Sequence, residues 1–167
     1  LLEIKDVNIS YHTPTKTVYA VQDVSLNVEE EDSVGIVGES GSGKSTLAMG
    51  ILRLLPENIT EIEGQAVLNG KDLLSLSRKE LNEVRWVDIS VVFQKAMNAL
   101  SPVHRIGEQM EDIYHVHFPN TPKAEVKKRI YELLKMVNLS ERVYSSYPHE
   151  LSGGMMQRVA IALSLIF

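Results

Sequence analysis

An α/β fold built around a strand–loop–helix unit is predicted for this chain. Three observations predict it. Apolar runs of strand length alternate with segments of helical spacing. One such run, residues 33–37, leads directly into a Gly/Ser loop that is followed by helical spacing. Hydrophobic residues make up 44% and charged residues 23% of the 167 residues, the balance of a globular domain with a real core.

The elements follow in order. Residues 2–10 and 18–28 alternate loosely and read as strands, the second with Val24, Leu26 and Val28 on one face. The turn segment between them contains Pro14, so the two strands suggest an antiparallel layer. Residues 33–37 read as a buried strand. Leu47, Ile51, Leu54 and Leu55 give residues 44–55 a helical stripe, ended by Pro56 and Asn58. Residues 63–68 form a strand that enters an Asn69-Gly70 turn. Ser77 with Glu80 three residues on is a capping box for a short helix. Residues 88–93 read as another buried strand, and residues 105–117 as a helix. Pro122 is expected at the first position of the next helix, whose apolar face is Val126, Ile130, Leu133, Leu134 and Val137. A last helix is expected from Ser152 to Ile166.

Net charge is −5, which disfavours nucleic acid, since such domains carry a basic stripe. The cluster Lys123, Lys127, Lys128 and Arg129 reads instead as a solvated helix face. With no cysteine, disulfide frameworks and Cys-based zinc sites are excluded, which fits a reducing compartment. No signal peptide is visible at Leu1, and the missing initiator Met points to a trimmed N-terminus. The longest apolar stretch, residues 159–167, is far below the roughly 20 residues of a membrane helix.

Residues 38–45 fit the Walker A pattern G-x-x-x-x-G-K-[ST] without a mismatch. Gly38, Gly41 and Gly43 let the loop curl so that backbone N–H groups, including those of Ser40 and Ser42, point inward at phosphate oxygens. The helix that starts at Lys44 adds its positive dipole end. Lys44 supplies a point charge for β- and γ-phosphates, Ser45 a hydroxyl for Mg²⁺, and Thr46 lies on the α-phosphate side. A plain Gly/Ser turn would not need the lysine. A dinucleotide fingerprint would need a third glycine after Gly41-Ser42-Gly43.

Further motifs narrow the class. Residues 151–158 resemble the LSGGQ-like signature of ABC transporter ATP-binding subunits, in the variant common among peptide transporters. Ser152 can cap a helix there, and Gly153 and Gly154 let N–H groups approach an anion. Residues 91–94 resemble the family's Q-loop. The resemblance spans essentially the whole chain, and residues 35–45 are most similar to the di/oligopeptide (and nickel) importer branch, as are Met97, Asn98, Leu100, Ser101 and Pro102. Lys95-Ala96 departs from the family's Asp-Pro, and Glu31 stands where the family has a turn glycine.

The resemblance implies an ATP-driven importer subunit, peripheral on the cytoplasmic face of the membrane, with ATP and Mg²⁺ as cofactors. It implies a head-to-tail dimer in which Lys44 of one chain faces Ser152 of the other across ATP, and docking on permease subunits through residues 94–113. It assigns Gln94 to Mg²⁺ or the attacking water, as a supporting group, and Tyr11 to stacking on adenine. The implied architecture is a P-loop core with an antiparallel β layer and a helical subdomain. Residues 1–93 would form the ATP-binding part, 94–150 the Q-loop and helical part, and 151–167 the signature and its helix. In the family a strand ending in Asp-Glu and a later His complete catalysis. Neither falls within these 167 residues, so no complete catalytic set is expected here, the central sheet is expected to be incomplete, and the P-loop strand is expected to be an open edge. The stretch alone is expected to be inactive as an ATPase. Competing expectations are a soluble ABC-type ATPase acting on nucleic acid and a module that binds nucleotide without hydrolysis.

Overall fold

Residues 1–94 and 100–167 are described by the computed structural model. They divide into two compact units, Leu1–Leu81 and Asn82–Phe167. This division follows packing, whereas the sections 1–93, 94–150 and 151–167 follow motifs.

The first unit is a sheet carrying one helix. Strands β1 (Leu2–His12), β2 (Thr17–Val28), β3 (Thr60–Leu68) and β4 (Lys71–Asp72) form an antiparallel sheet in the order β2-β1-β3-β4. The expected antiparallel layer is therefore present. Asn69 and Gly70 join β3 to β4, both with positive φ (49° and 83°), the backbone of a tight primed hairpin turn. Helix α1 (Lys44–Ile51) lies against the sheet. Gly50 makes this contact possible, because a Cβ there would stand 2.4 Å from Ile9 Cδ1.

Helix α1 ends at Ile51 rather than running to Leu55. Arg53 takes φ +51°, its N–H reaching Gly50 O and the Leu54 N–H reaching Met49 O, which is a Schellman closure. The Arg53 guanidinium also donates to Leu76 O. Leu54 is consequently 37% exposed rather than part of the buried stripe.

Residues 33–37 do not form a strand. Val34, Ile36 and Val37 are 50%, 49% and 95% exposed. Apolar composition favours a strand only when a neighbour accepts and donates the ladder bonds. No such neighbour pairs with this segment among the described residues. The same correction applies to residues 88–93, which contribute one isolated bridge, Arg85 to Ile89, and no ladder.

The capping box forms as expected. The Glu80 N–H meets Ser77 Oγ at 3.3 Å and the Ser77 N–H meets Glu80 Oε2 at 2.8 Å, opening α2 (Arg78–Val84). Hydrogen bonding with Ser77 holds the Glu80 carboxyl below its ordinary value. The stabilisation this carries is present above the ordinary Glu value and is lost as pH falls through the lowered one.

The second unit is helical. Helices α3 (Ile106–His117), α4 (Lys123–Met136) and α5 (Gly153–Ser164) enclose a core that includes Met110, Ile130, Leu133, Leu134, Val159 and Ile166. Pro122 is the N-cap of α4, one place earlier than expected, and α5 stops two residues before Ile166. Asn138 (φ +55°) closes α4 by the same Schellman pattern, with Leu139 N–H to Leu134 O and Asn138 N–H to Lys135 O. The basic cluster on α4 is not simply solvated. Lys127 lies over the Tyr144 and Tyr131 rings at 4.8 and 5.6 Å. Arg129 donates to Leu165 O and Ile166 O and so caps the end of α5.

Tyr144 is the wedge of this unit. It donates to Glu111 and packs edge-on against Tyr131. Burial, then the Glu111 hydrogen bond, pushes its phenol well above the ordinary range. Helix α3 reaches the ring through Gly107, where a Cβ would lie 2.4 Å from the ring carbons. Alanine is the better helix former by about 1 kcal/mol, but overpacking costs roughly 1–3 kcal/mol. Gly107→Ala should therefore lower the stability of this unit in a urea titration. A rise in stability would show that the ring yields.

Candidate phosphate-binding loop and signature helix

The glycine spacing of residues 38–46 produces the turn that the sequence predicts. Gly41 and Gly43 take φ +83° and +92°, and the Ser42 N–H closes on Glu39 O at 3.3 Å. Gly43 is the N-cap of α1, and its carbonyl accepts the first helical bond, from Leu47 N–H at 2.8 Å. Gly43 also touches the sheet. A Cβ there would stand 2.3 Å from Ala20 O and 3.4 Å from Val21 Cγ2. Only glycine combines that φ with that approach. At Gly38 a Cβ would meet Ser42 Oγ at 2.8 Å, so the two ends of the loop close on each other.

Lys44 sits over the loop it follows. Its Nζ donates to Glu39 O at 2.6 Å, Gly38 O at 2.8 Å and Ser42 Oγ at 3.2 Å. The ammonium is thus held beside the mouth of the loop, where Ser40, Gly41, Ser42 and Ser45 are exposed and Thr46 is half-buried. A cation beside a glycine loop at the start of a helix is a donor set for phosphate. For Mg²⁺ the fit is thinner. Ser45 offers one exposed hydroxyl, and no cluster of three His, Cys, Asp or Glu suited to a metal occurs among the described residues. A cation here would draw most of its ligands from phosphate oxygens.

Tyr11 is half-buried near the end of β1, paired with Val18 of β2 and Thr60 of β3. The carbonyl of Ala20, two residues from Val18 on the same strand, is the one that Gly43 touches. The strand pair that bears Tyr11 is therefore the pair against which the loop is seated.

In the second unit, Ser152 caps α5, its Oγ accepting from Met155 N–H at 3.3 Å. Gly153 and Gly154 are exposed, and a Cβ on either would meet nothing within 4 Å. Gln94 lies exposed at a bend outside any strand. Lys95, Ala96, Met97 and Asn98, on which the sequence reading also drew, lie outside the described residues.

Three side chains have roles that the sequence does not announce. Gln157 Nε2 donates to Phe93 O at 3.3 Å, and Ser90 Oγ donates to Ser164 O at 3.0 Å. Together they lay the segment before Gln94 along α5. Arg158 donates to Gly154 O at 3.3 Å and Asn138 O at 2.8 Å, tying the first turn of α5 to the end of α4. Gln157 and Arg158 stand inside the signature stretch, and that position was the only signal of their roles. His149 stacks on Tyr147, whose ring also lies under Arg105 at 4.9 Å. Asp88 lies in a turn and opens no strand.

The family pattern described as ABC transporter matches residues 21–166. The chain belongs to the ABC transporter family. It is 41% identical to the oligopeptide transport ATP-binding protein OppD of Escherichia coli K12 over 99% of its length, which is 49% of that protein. It is 38% identical to a probable peptide ABC transporter ATP-binding protein of Sinorhizobium fredii, again over 99% of this chain and 50% of the relative. The chain thus spans about half the length of these ABC relatives. Among solved structures, the ATP-binding cassette MJ0796, described as dimeric, post-hydrolysis and bound to ADP and Pi, matches with a TM-score of 0.87 and 34% identity, covering 99% of this chain and 69% of that one. The cassette fold of this ABC family member is therefore established, including its P-loop core and antiparallel β layer.

The two glycine sites differ in a measurable way. Gly43→Ala should destabilise the first unit by about 1–3 kcal/mol through backbone strain and the Ala20 contact. Gly153→Ala should leave the second unit within about 0.5 kcal/mol of the parent or slightly more stable, because nothing crowds the position. Chemical denaturation of both variants checks the contrast, and equal losses would contradict it.

Proposed function

We propose that this chain is the nucleotide-binding part of an ATP-binding subunit that powers import of peptides or similar small solutes across a membrane. The observation that carries the proposal is the 38–46 loop, with Gly43 seated on β2 and the Lys44 ammonium held on the loop carbonyls of Gly38 and Glu39. The peptide assignment is supported by relatives whose names describe oligopeptide and peptide transport. Bound ATP would supply the γ-phosphoryl group, and Mg²⁺ held with it at the Ser45 hydroxyl would supply positive charge to the phosphate oxygens.

The roles of the chain's own groups follow from their chemistry. The amides of Ser40, Gly41 and Gly43 donate to phosphate oxygens, and that of Ser42 exchanges Glu39 O for one. Lys44 moves its ammonium from loop carbonyls to the β- and γ-phosphates, exchanging neutral acceptors for charged ones, which makes stronger hydrogen bonds. Ser45 ligates the cation with its hydroxyl, and Thr46 donates on the α-phosphate side. Tyr11 covers the adenine with its ring. Gln94 reaches the cation or the attacking water, and Gln157 positions it by holding the preceding carbonyl.

Ser152, Gly153 and Gly154 donate to the γ-phosphate held by a second ATP-binding subunit in a head-to-tail dimer. Support comes from the open space around the two glycines, since nothing within this unit requires them. The solved cassettes described as dimeric also support it. Permease subunits would dock around residues 94–113, of which Val103 is 73% exposed. No helix among the described residues is long and apolar enough to cross a membrane. The proposed location is the cytoplasmic face, through those partners, and it rests on relatives whose names describe transport ATP-binding proteins.

Calorimetric titration with Mg-ATP tests the core of the proposal. Lys44→Ala should weaken binding at least tenfold, about 1.4 kcal/mol. Unchanged affinity would remove the loop from the function. Gly153→Ala should leave monomer binding intact and weaken ATP-dependent dimerisation, read by sedimentation. Dimerisation as tight as in the parent would take the signature helix out of the interface.

A further inference from the structure

We propose that the left-handed bulge at Asp6, held by Asn8 and Ser25, turns Tyr11 toward the nucleotide and makes Asn8 and Ser25 positioning residues for adenine recognition. The inference rests on the stacking role of Tyr11 given above.

The phase of β1 carries the argument. Ile4 is buried, so strict alternation would put residues 6, 8, 10 and 12 on its face and Tyr11 on the opposite one. The strand does not keep that phase. Lys5 and Asp6 are both exposed, and the buried positions resume at Val7 and Ile9. The ladders show the extra residue directly. Against β3, Lys5 pairs with Gln65 and Asn8 with Glu63. Against β2, Ile4 pairs with Leu26 and Val7 with Val24. In both ladders three steps on β1 match two on its neighbour, which defines a bulge.

From Asn8 to Tyr11 the pairing with β3 is continuous, so Tyr11 shares the face of Ile9. That face is the one beneath the phosphate loop. Ile9 meets Gly50 of α1, and its partner Val21 meets Gly43. One inserted residue therefore decides whether the ring of Tyr11 lies on the loop side of the sheet or on the other.

The bulge is not a glycine turn. Asp6 takes φ +50°, which disfavours an L residue unless its surroundings hold it there. Three hydrogen bonds do so, and a fourth anchors Asn8. The Asp6 N–H donates to Ser25 Oγ at 2.9 Å, and that hydroxyl donates to Asp6 Oδ1 at 3.1 Å. Asn8 Nδ2 donates to Asp6 O at 2.9 Å, while Asn8 Oδ1 accepts from the Asp23 N–H at 2.9 Å. Asp23 also takes φ +50°, so Asn8 links the bulge of β1 to an irregularity in β2. Neither Asn8 nor Ser25 needs to touch nucleotide for this role.

The test compares affinities for Mg-ATP and Mg-tripolyphosphate in the full protein by calorimetry. Tripolyphosphate uses the phosphate loop without the base. Tyr11→Ala should weaken ATP binding about tenfold, the scale of one base–aromatic stack, and spare tripolyphosphate. Asn8→Ala and Ser25→Ala should each weaken ATP by about three- to tenfold, leave tripolyphosphate within about twofold, and add nothing to Tyr11→Ala in the double variants. Asn8→Asp keeps the acceptor for Asp23 and loses the donor to Asp6. Its smaller, still ATP-selective loss carries the test if Asn8→Ala does not fold. Equal loss of both ligands, full additivity with Tyr11→Ala, or unchanged ATP affinity in Asn8→Asp and Ser25→Ala would each overturn the positioning role while leaving stacking intact. A Tyr11→Ala variant with undiminished ATP affinity would overturn stacking itself, and the positioning role with it.

Discussion

The approach of Gly43 to the carbonyl of Ala20 is the contact on which the phosphate loop depends. A side chain at this point would stand 2.3 Å from a backbone oxygen, so the loop can seat on β2 only as bare backbone. The same residue takes φ +92° and is the N-cap of α1. Sheet, loop and helix are thus joined through one position that admits no Cβ. Gly50 repeats the device about two turns later against Ile9. Helix α1 has only eight residues, too short to be stable by propensity, so these two contacts must set its placement. Lys44 then reaches back over the loop because the helix that bears it begins where the loop ends.

The second unit solves a different problem. Its helix α5 presents an exposed, uncrowded N-terminus at Gly153 and Gly154, and contacts at both of its ends hold it in place. Ser152 caps it from within, and Arg158 ties its first turn to the end of α4. Arg129 covers the carbonyls at its far end. The segment preceding Gln94 is laid along α5 by Ser90 and Gln157. A rigid helix with an open end suits capture of a charged group from outside the unit.

The contrast among glycines separates internal from external constraint. Gly43, Gly50, Gly64 and Gly107 each face an atom nearer than 3 Å to the place a Cβ would take. Packing explains them. Gly153 and Gly154 face open space, so packing does not explain them, and the proposed contact with a second subunit would. The same distinction applies to basic residues. Arg129 and Lys127 are engaged by carbonyls and rings of their own unit, although the sequence alone makes them look like a solvated face.

Local chemistry was legible without coordinates. The loop of residues 38–46, the Ser77–Glu80 box, the Asn69-Gly70 turn, the apolar stripe of α4 and the Ser152 cap all depend on residues a few positions apart, and their types name the geometry. Three things were not legible. Residues 33–37 and 88–93 have strand composition, yet a strand is a property of a pair, and whether a partner supplies the ladder is not written in the segment itself. The end of α1 at Arg53 uses a left-handed arginine where glycine is the usual marker. The bulge at Asp6 likewise depends on Ser25 and Asp23, nineteen and seventeen residues away, whose hydrogen bonds hold a conformation that aspartate alone disfavours. The sequence by itself determined which residues can cradle a phosphate and cap a helix, because those interactions close within one turn of chain. Tertiary structure alone decided which face of the sheet carries Tyr11 and how the loop is seated, because both are set by backbone atoms of strands that meet only after folding.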